Sequence, residues 1–278
     1  MNIIKDKRNI RIRVFAFIIL TILTLFFVAP YVWMLLNSFK STKEILLHPT
    51  NILPEEFTIK SYQKVLFDSP FVYWFRNSLI VTVVDTVVIL FTSSIIGYVL
   101  SKYQFKLNKF CFFLILATMM MPTTAVMIPN FLIISKLGWY DKIISLIVPT
   151  FCNAFGIFLC KQFIDDLPKE LFESAMLDNA SDLKIFYRIV IPAIKPALGS
   201  LAIFTFLGIW NDYQTPLIYL NSTKNMTLPL ALSFFNSQHL SDLSATMAAA
   251  ALIMVPSTVV FLIFQKYFIK GIAMTGMK

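Results

Sequence analysis

Few side chains in this sequence are equipped for chemistry, and they fall in three places. Two carboxylates, Asp85 and Asp212, interrupt long apolar stretches. A charge in hydrocarbon costs a few kcal/mol even on lenient scales, so each must face protein or water. Asp212 belongs to the run Trp210-Asn211-Asp212-Tyr213, which joins aromatic surface to hydrogen-bonding groups. That combination suits the faces and hydroxyls of a sugar; the same residues could equally pin neighbouring helices. Asp85 stands apart. An ion pair or a water-filled cavity is its ordinary expectation, with a proton or cation site as the other. The third place is the polar stretch 164–196, which carries Asp165, Asp166, Glu170, Glu173, Asp178 and Asp182.

Catalysis finds no constellation. His48 and His239 are isolated, as solvated loop residues are, and Cys111, Cys152 and Cys160 lie in or at the end of apolar segments without metal-ligand spacing. The cysteines read as small buried hydrophobes. There is no H-E-x-x-H or G-x-S-x-G. The nearest approach to a Walker loop, Gly271 and Gly276, continues with Met277 where the phosphate-binding Lys is needed. No catalytic residue, no metal and no cofactor are expected on this chain.

The elements that hold these residues follow from composition. Of 278 residues, 58% are hydrophobic and 14% charged, against about 25% charged in an ordinary soluble domain. A soluble fold of this size cannot hide so much apolar surface, so the expected solvent is lipid. Six apolar segments are long enough to cross a bilayer, near 14–36, 77–101, 110–135, 143–163, 197–220 and 243–266. The first is too long for a signal-peptide core and is expected to be retained. The net charge of +9 falls in short clusters between the segments, which suits anionic lipid better than nucleic acid. With the N-terminus inside the cell, 16 of the 24 Lys and Arg lie on the cytoplasmic side, as the positive-inside rule asks. Both termini are then cytoplasmic, and Trp33, Trp74, Trp139 and Trp210 fall toward the outer half as an aromatic belt. In the second segment Ser93, Gly97 and Ser101 form a small-residue stripe for close helix packing.

Two connections are long: an outer stretch, 37–76, and the inner stretch 164–196. In the inner one, Asp165 or Asp166 can cap a helix with Pro168 in its first turn. Leu171 and Ala175, then Phe172 and Met176, share a face at four-residue spacing. Asn179 suits a left-handed stop. Ser181 can cap a second helix, which Pro192 closes. Two short amphipathic helices meeting at a sharp angle fit either an interfacial hairpin or a docking element for a cytoplasmic partner.

The pattern of this loop resembles the permease subunits of binding-protein-dependent ABC importers. Their signature is Glu-Ala-Ala, then Asp-Gly-Ala, then Phe, Ile and Pro. Here stand Glu173, Ser174 and Ala175, then Asp178, Asn179 and Ala180, then Phe186, Ile189 and Pro192. Ser174 and Asn179 depart from it; Asn is the commonest non-glycine residue in left-handed backbone, so the turn should survive. Leu167-Pro168-Lys169-Glu170, Trp210-Asn211-Asp212-Tyr213 and Gln265-Lys266-Tyr267-Phe268-Ile269-Lys270-Gly271 are similar to the carbohydrate branch, of maltose and glycerol-phosphate type.

The resemblance implies an all-α integral membrane protein of six transmembrane helices with a cytoplasmic coupling-helix loop, the type I importer permease fold. It divides the chain into a cytoplasmic segment 1–13, a first helix and outer loop 14–69, and a permease core 70–278. It implies a second related permease, two ATPase subunits that hold ATP and Mg, an extracytoplasmic solute-binding protein and a sugar substrate, in a bacterial cytoplasmic membrane. Glu173, Ser174, Ala175, Asp178, Asn179, Ala180 and Phe186 would engage the ATPase, and Trp210, Asn211, Asp212 and Tyr213 the solute pathway. The alternatives are an ion-coupled secondary transporter, and an importer permease for an amino acid or peptide.

Overall fold

The computed structural model describes the backbone of residues 2–237 and 242–275, and within them the side chains of 10, 12–235 and 242–265. His239, the basic side chains Lys5, Lys7, Arg8 and Arg11, and those of the closing motif from Lys266 lie outside this description. Among the described residues the secondary structure is helical, with no strand. In chain order come α1 (Asn2–Asn37), α2 (Thr42–Leu47), α3 (Lys60–Phe67), α4 (Phe71–Lys102), α5 (Asn108–Met119), α6 (Thr123–Lys136) and α7 (Ile144–Ile147). After a 3-10 turn follow α8 (Ala154–Asp165), α9 (Lys169–Leu177), α10 (Asp182–Ile185) and a π-helical turn, Phe186–Val190. The rest is α11 (Ile191–Ala193), α12 (Lys195–Trp210), α13 (Gln214–Tyr219), α14 (Leu228–Ser237) and α15 (Leu243–Thr275).

Four apolar stretches are long enough to span: Ile12–Asn37, Phe71–Lys102, Ile144–Asp165 and Leu243–Gln265. They match the first, second, fourth and sixth expected segments. The third is broken, because α5 and α6 meet at 102°. Pro122 lacks an N–H and pushes Met121 away from helical backbone. The 12 residues of α5 reach about 18 Å, short of the roughly 30 Å hydrocarbon core, so only the bent pair can cross. The fifth is corrected too: no single helix runs over 197–220. Its helix α12 bends by 74° from the one before it and stops at Trp210. There the Asn211 amide donates to the Leu207 carbonyl (2.8 Å), and Asp212 accepts the Thr215 N–H (3.1 Å). Side chains thus take over backbone partners at the break.

The chain forms two compact units, Met1–Ser69 with Leu232–Leu252, and Pro70–Ala231 with Ile253–Lys278. In the first, the apolar side chains of α1 from Ile12 to Val32 point outward on all sides; a helix apolar all round needs lipid or another apolar surface. The loop after α1 is tied to Asp242, which accepts from Lys64 Nζ (2.6 Å), Thr42 Oγ1 (2.8 Å) and the Ala245 N–H (3.0 Å). Burial pushes that carboxyl up, but the bonds from Lys64, Ala245 and Thr42 together bring it down to about 2.

In the second unit α4 packs against α8 and α12. A Cβ on Gly97 would stand 2.9 Å from Cys160 Cβ and from the Lys161 nitrogen, and one on Gly156 would collide with Ser93. The small-residue stripe is therefore the seam of two closely apposed helices. Of the cysteines, Cys160 is buried here, whereas Cys152 is exposed and Cys111 half-buried. Trp74 and Trp210 are also interior and form no lipid-facing belt: their indole N–H groups donate to the carbonyls of Thr223 (2.7 Å) and Ile253 (3.0 Å). A buried indole must find such a partner.

Candidate functional site

The stretch 164–196 folds as a hairpin of short helices. Neither Asp165 nor Asp166 caps α9; α8 runs on through Asp165, Asp166 closes it, and Pro168 is the residue just before α9. Asp165 instead accepts from Ser101 Oγ on α4 (2.6 Å) and pairs with Lys161 one turn back (2.5 Å). These bonds tie the start of the hairpin to the ends of two spanning helices.

At the far end of α9 the backbone turns on Asn179, whose φ is +51°. The Ala180 N–H donates to the Ala175 carbonyl and the Asn179 N–H to that of Met176, both at 3.0 Å. This is the 6→1 and 5→2 pair of a Schellman closure. It satisfies carbonyls that a nine-residue helix would otherwise leave open. Ser174 turns its hydroxyl back on the Glu170 carbonyl (2.8 Å). Ser181 then precedes α10 in extended backbone without a side-chain cap bond.

Pro192 does not end the second helix. The helix passes through it to Ala193 and bends at Ile194. An α-helical register would set the proline ring against the Arg188 carbonyl. The preceding π turn, in which the Ile191 N–H reaches the Phe186 carbonyl, changes that register.

Burial divides the hairpin in two. Phe172 and Ala175 of α9, with Ile185, Phe186 and Val190, sink into a core that includes Tyr98 of α4, Cys160 and Ile164 of α8, and Leu201 of α12. The Lys102 ammonium lies 3.6 Å above the Phe172 ring. Glu173, Ser174, Asp178 and Asn179 are exposed, and so are Leu177 (85%) and Leu183 (71%); of the two expected apolar pairs only Phe172 and Ala175 are buried, while Leu171 and Met176 are exposed. Carboxylates thus stand beside bare apolar side chains on a helix that is rooted in the core and closed at Asn179.

The second candidate group is dispersed. Trp210 is fully buried, stacked on Phe206 and edge-on to Phe75, so its ring offers no face to a solute. Asn211 and Tyr213 are exposed at the break, and Asp212 is half-buried. Asp85 lies about 21 Å along an α4 of about 48 Å. It stands near the middle and not in the outer third, because the helix begins at Phe71. No ion pair engages it among the described residues; it lines a cavity of about 60 Å³ that Asp212 also lines.

The family of binding-protein-dependent transport system inner membrane components matches residues 89–274. The chain belongs to that family. It is 35% identical to the arabinooligosaccharides transport system permease protein AraQ of Bacillus subtilis over 260 residues, 92% of each chain. It is 34% identical to the inner membrane ABC transporter permease protein YcjP of Escherichia coli over 262 residues, again 92% of each. Its fold matches, with a TM-score of 0.82 and 25% identity, a chain of a bacterial ABC transporter involved in the import of the acidic polysaccharide alginate. That match covers 92% of this chain and 97% of the other. The inner membrane component is thus a multi-pass permease of the ABC importer fold, and the secondary-transporter reading falls away.

Sequence reasoning missed part of this component's hairpin root. Lys102 counted only as a topology-setting charge, and Asp165 as a helix cap. The signal within reach was the four-residue spacing of Lys161 and Asp165. The contacts of Ser101 with Asp165 and of Lys102 with Phe172 join residues more than 60 positions apart, and no local pattern announces them.

Proposed function

We propose that this permease forms half of the translocation pathway of an ATP-driven importer for a sugar or oligosaccharide. A second, related permease supplies the other half, two ATPase subunits bind ATP and Mg, and an extracytoplasmic binding protein delivers the solute. The chain itself binds no cofactor and hydrolyses nothing. The carbohydrate substrate is supported by relatives named for arabinooligosaccharides and alginate. A second membrane subunit is supported by α1, whose apolar side chains from Ile12 to Val32 are uncovered within their own unit. The positive-inside count supports cytoplasmic termini and a cytoplasmic hairpin.

The observation that carries this reading is the two-faced hairpin. Its inner face is packed among the spanning helices, and its outer face presents Glu173 and Leu177 on a helix closed at Asn179. Such a short, capped helix transmits displacement as a rigid body. Ser174, Ala175, Asp178, Ala180 and Phe186 shape or root the docking face; Glu173 meets a basic group on the ATPase. At the break, Asn211 and Tyr213 contact solute, whereas Trp210 holds the helix end. Replacing Glu173 with Lys, in the complex in proteoliposomes, should leave insertion and ATP hydrolysis intact while uptake falls. Wild-type uptake by that variant refutes the docking role.

A further inference from the structure

The cavity beside Asp85 has a composition that its packing role does not explain. Asp85 is fully buried, near the middle of a spanning helix, and neither carboxyl oxygen has a hydrogen-bond partner. The Thr150 hydroxyl approaches but donates to the Ile147 carbonyl (2.8 Å). Thr82 and Thr227, also on the wall, are buried with unpartnered hydroxyls. Ser78, Asp212 and Thr215 complete the polar lining; Asp212 accepts the Thr215 N–H through one oxygen, and Ser78 Oγ accepts the Leu228 N–H. No Lys, Arg or His lines the space.

We propose that this cavity is a resident site for one alkali cation, Na⁺ or K⁺, held by Asp85 with the hydroxyls of Thr82 and Thr227. Every donor on the wall is a hard oxygen, which selects hard cations over zinc or copper. The site suits a monovalent ion over Ca²⁺. Among the described residues no group of three or more His, Cys, Asp or Glu is assembled, and Asp85 is the one fully buried carboxylate on the wall, Asp212 being half-exposed, so a single buried charge asks for a counter-ion. The volume of about 60 Å³ exceeds the roughly 10–15 Å³ a single water needs. An ion with a few retained waters fills it and bridges oxygens that stand beyond direct reach of one another. In low dielectric an unpaired carboxylate is costly, and a cation between α4 and the Asn211–Tyr213 break removes that cost while joining the two.

The test uses the full chain in phosphatidylcholine nanodiscs, equilibrated in choline chloride and titrated with NaCl or KCl at constant ionic strength. The readouts are the thermal midpoint and the retention of ²²Na⁺. A saturable rise in midpoint with about one ion per chain is expected. Asp85→Asn should abolish both effects while its own midpoint in choline is not lowered. Thr227→Val should weaken the ion several-fold without abolishing it, which keeps the test decisive if Asp85→Asn folds poorly. Identical midpoints in choline, sodium and potassium would overturn the proposal, because a proton on the carboxyl then does the neutralising. So would an ion response that survives both substitutions. Neither readout involves uptake, so failure here leaves the transport reading untouched.

Discussion

If α9 works as a rigid lever, its hold on the membrane core matters more than its own helicity, and Phe172 is the residue to disturb. The ring is 6% exposed, packed in the core that joins α4, α8 and α12, and capped by the Lys102 ammonium at 3.6 Å. Truncating a core Phe to Ala costs about 3–5 kcal/mol, and losing the cation–π contact at a half-exposed Lys about 0.5–1 kcal/mol more. A nine-residue helix cannot absorb that loss, since isolated helices below about 12–15 residues are marginal in water. At 1.4 kcal/mol per factor of ten, even the lower figure shifts the docked-to-free ratio of α9 about a hundredfold. Solute carried per ATP hydrolysed by the complex in proteoliposomes reads this directly. Phe172→Ala should lose coupling while the chain still inserts. Phe172→Leu, closer in volume, should cost about 1.5 kcal/mol or less and keep most of it. Lys102→Gln should have the smallest effect. Wild-type coupling in Phe172→Ala refutes the lever; equal damage from Lys102→Gln and Phe172→Ala shows that charge, not apolar packing, roots the hairpin.

Three further outcomes follow from the geometry. Asn179→Gly should retain assembly and uptake, because φ of +51° is open to Gly, while Asn179→Val should weaken ATPase binding in a pull-down about tenfold, left-handed backbone costing a side-chain-bearing residue about 1–2 kcal/mol. Gly97→Ala forces a Cβ to 2.9 Å from Cys160 and the Lys161 backbone, whereas Gly208→Ala meets nothing within 4 Å; in thermal unfolding the first should destabilise by about 1–3 kcal/mol, and the second should be neutral or slightly stabilising. Asp141 lies outside the spans, and although burial pushes its carboxyl up, Ser222 and the N–H groups of Asn221 and Ser222 bring it down to about 2. Its stabilising contribution is therefore full above the usual carboxylate range near pH 4 and fades as pH falls toward 2, so the midpoint gap between wild type and Asp141→Asn should close over that interval.

What the sequence made legible was whatever depends on short spacing or bulk composition. The apolar segments, the seam of Ser93 and Gly97, and the left-handed Asn179 are of this kind, because hydrophobic length, a four-residue stripe and a turn residue each have a local physical cause. The errors share a different origin. Pro192 looked like a stop because local rules set its ring against the carbonyl four residues back. The π turn over Phe186–Val190 removes that conflict, and its cause is tertiary: Phe186 and Val190 are pulled into the core beside Tyr98 and Leu201. Trp210 looked like a sugar platform because an aromatic beside Asn and Asp can be one. The deciding facts, Phe75, Phe206 and the Ile253 carbonyl, come partly from residues more than 40 positions away. Within the run Trp-Asn-Asp-Tyr, therefore, the indole anchors the end of α12, Asp212 caps the next turn through the Thr215 N–H, and Asn211 and Tyr213 are left exposed. The allocation of roles within the pattern depends on which face the core claims first.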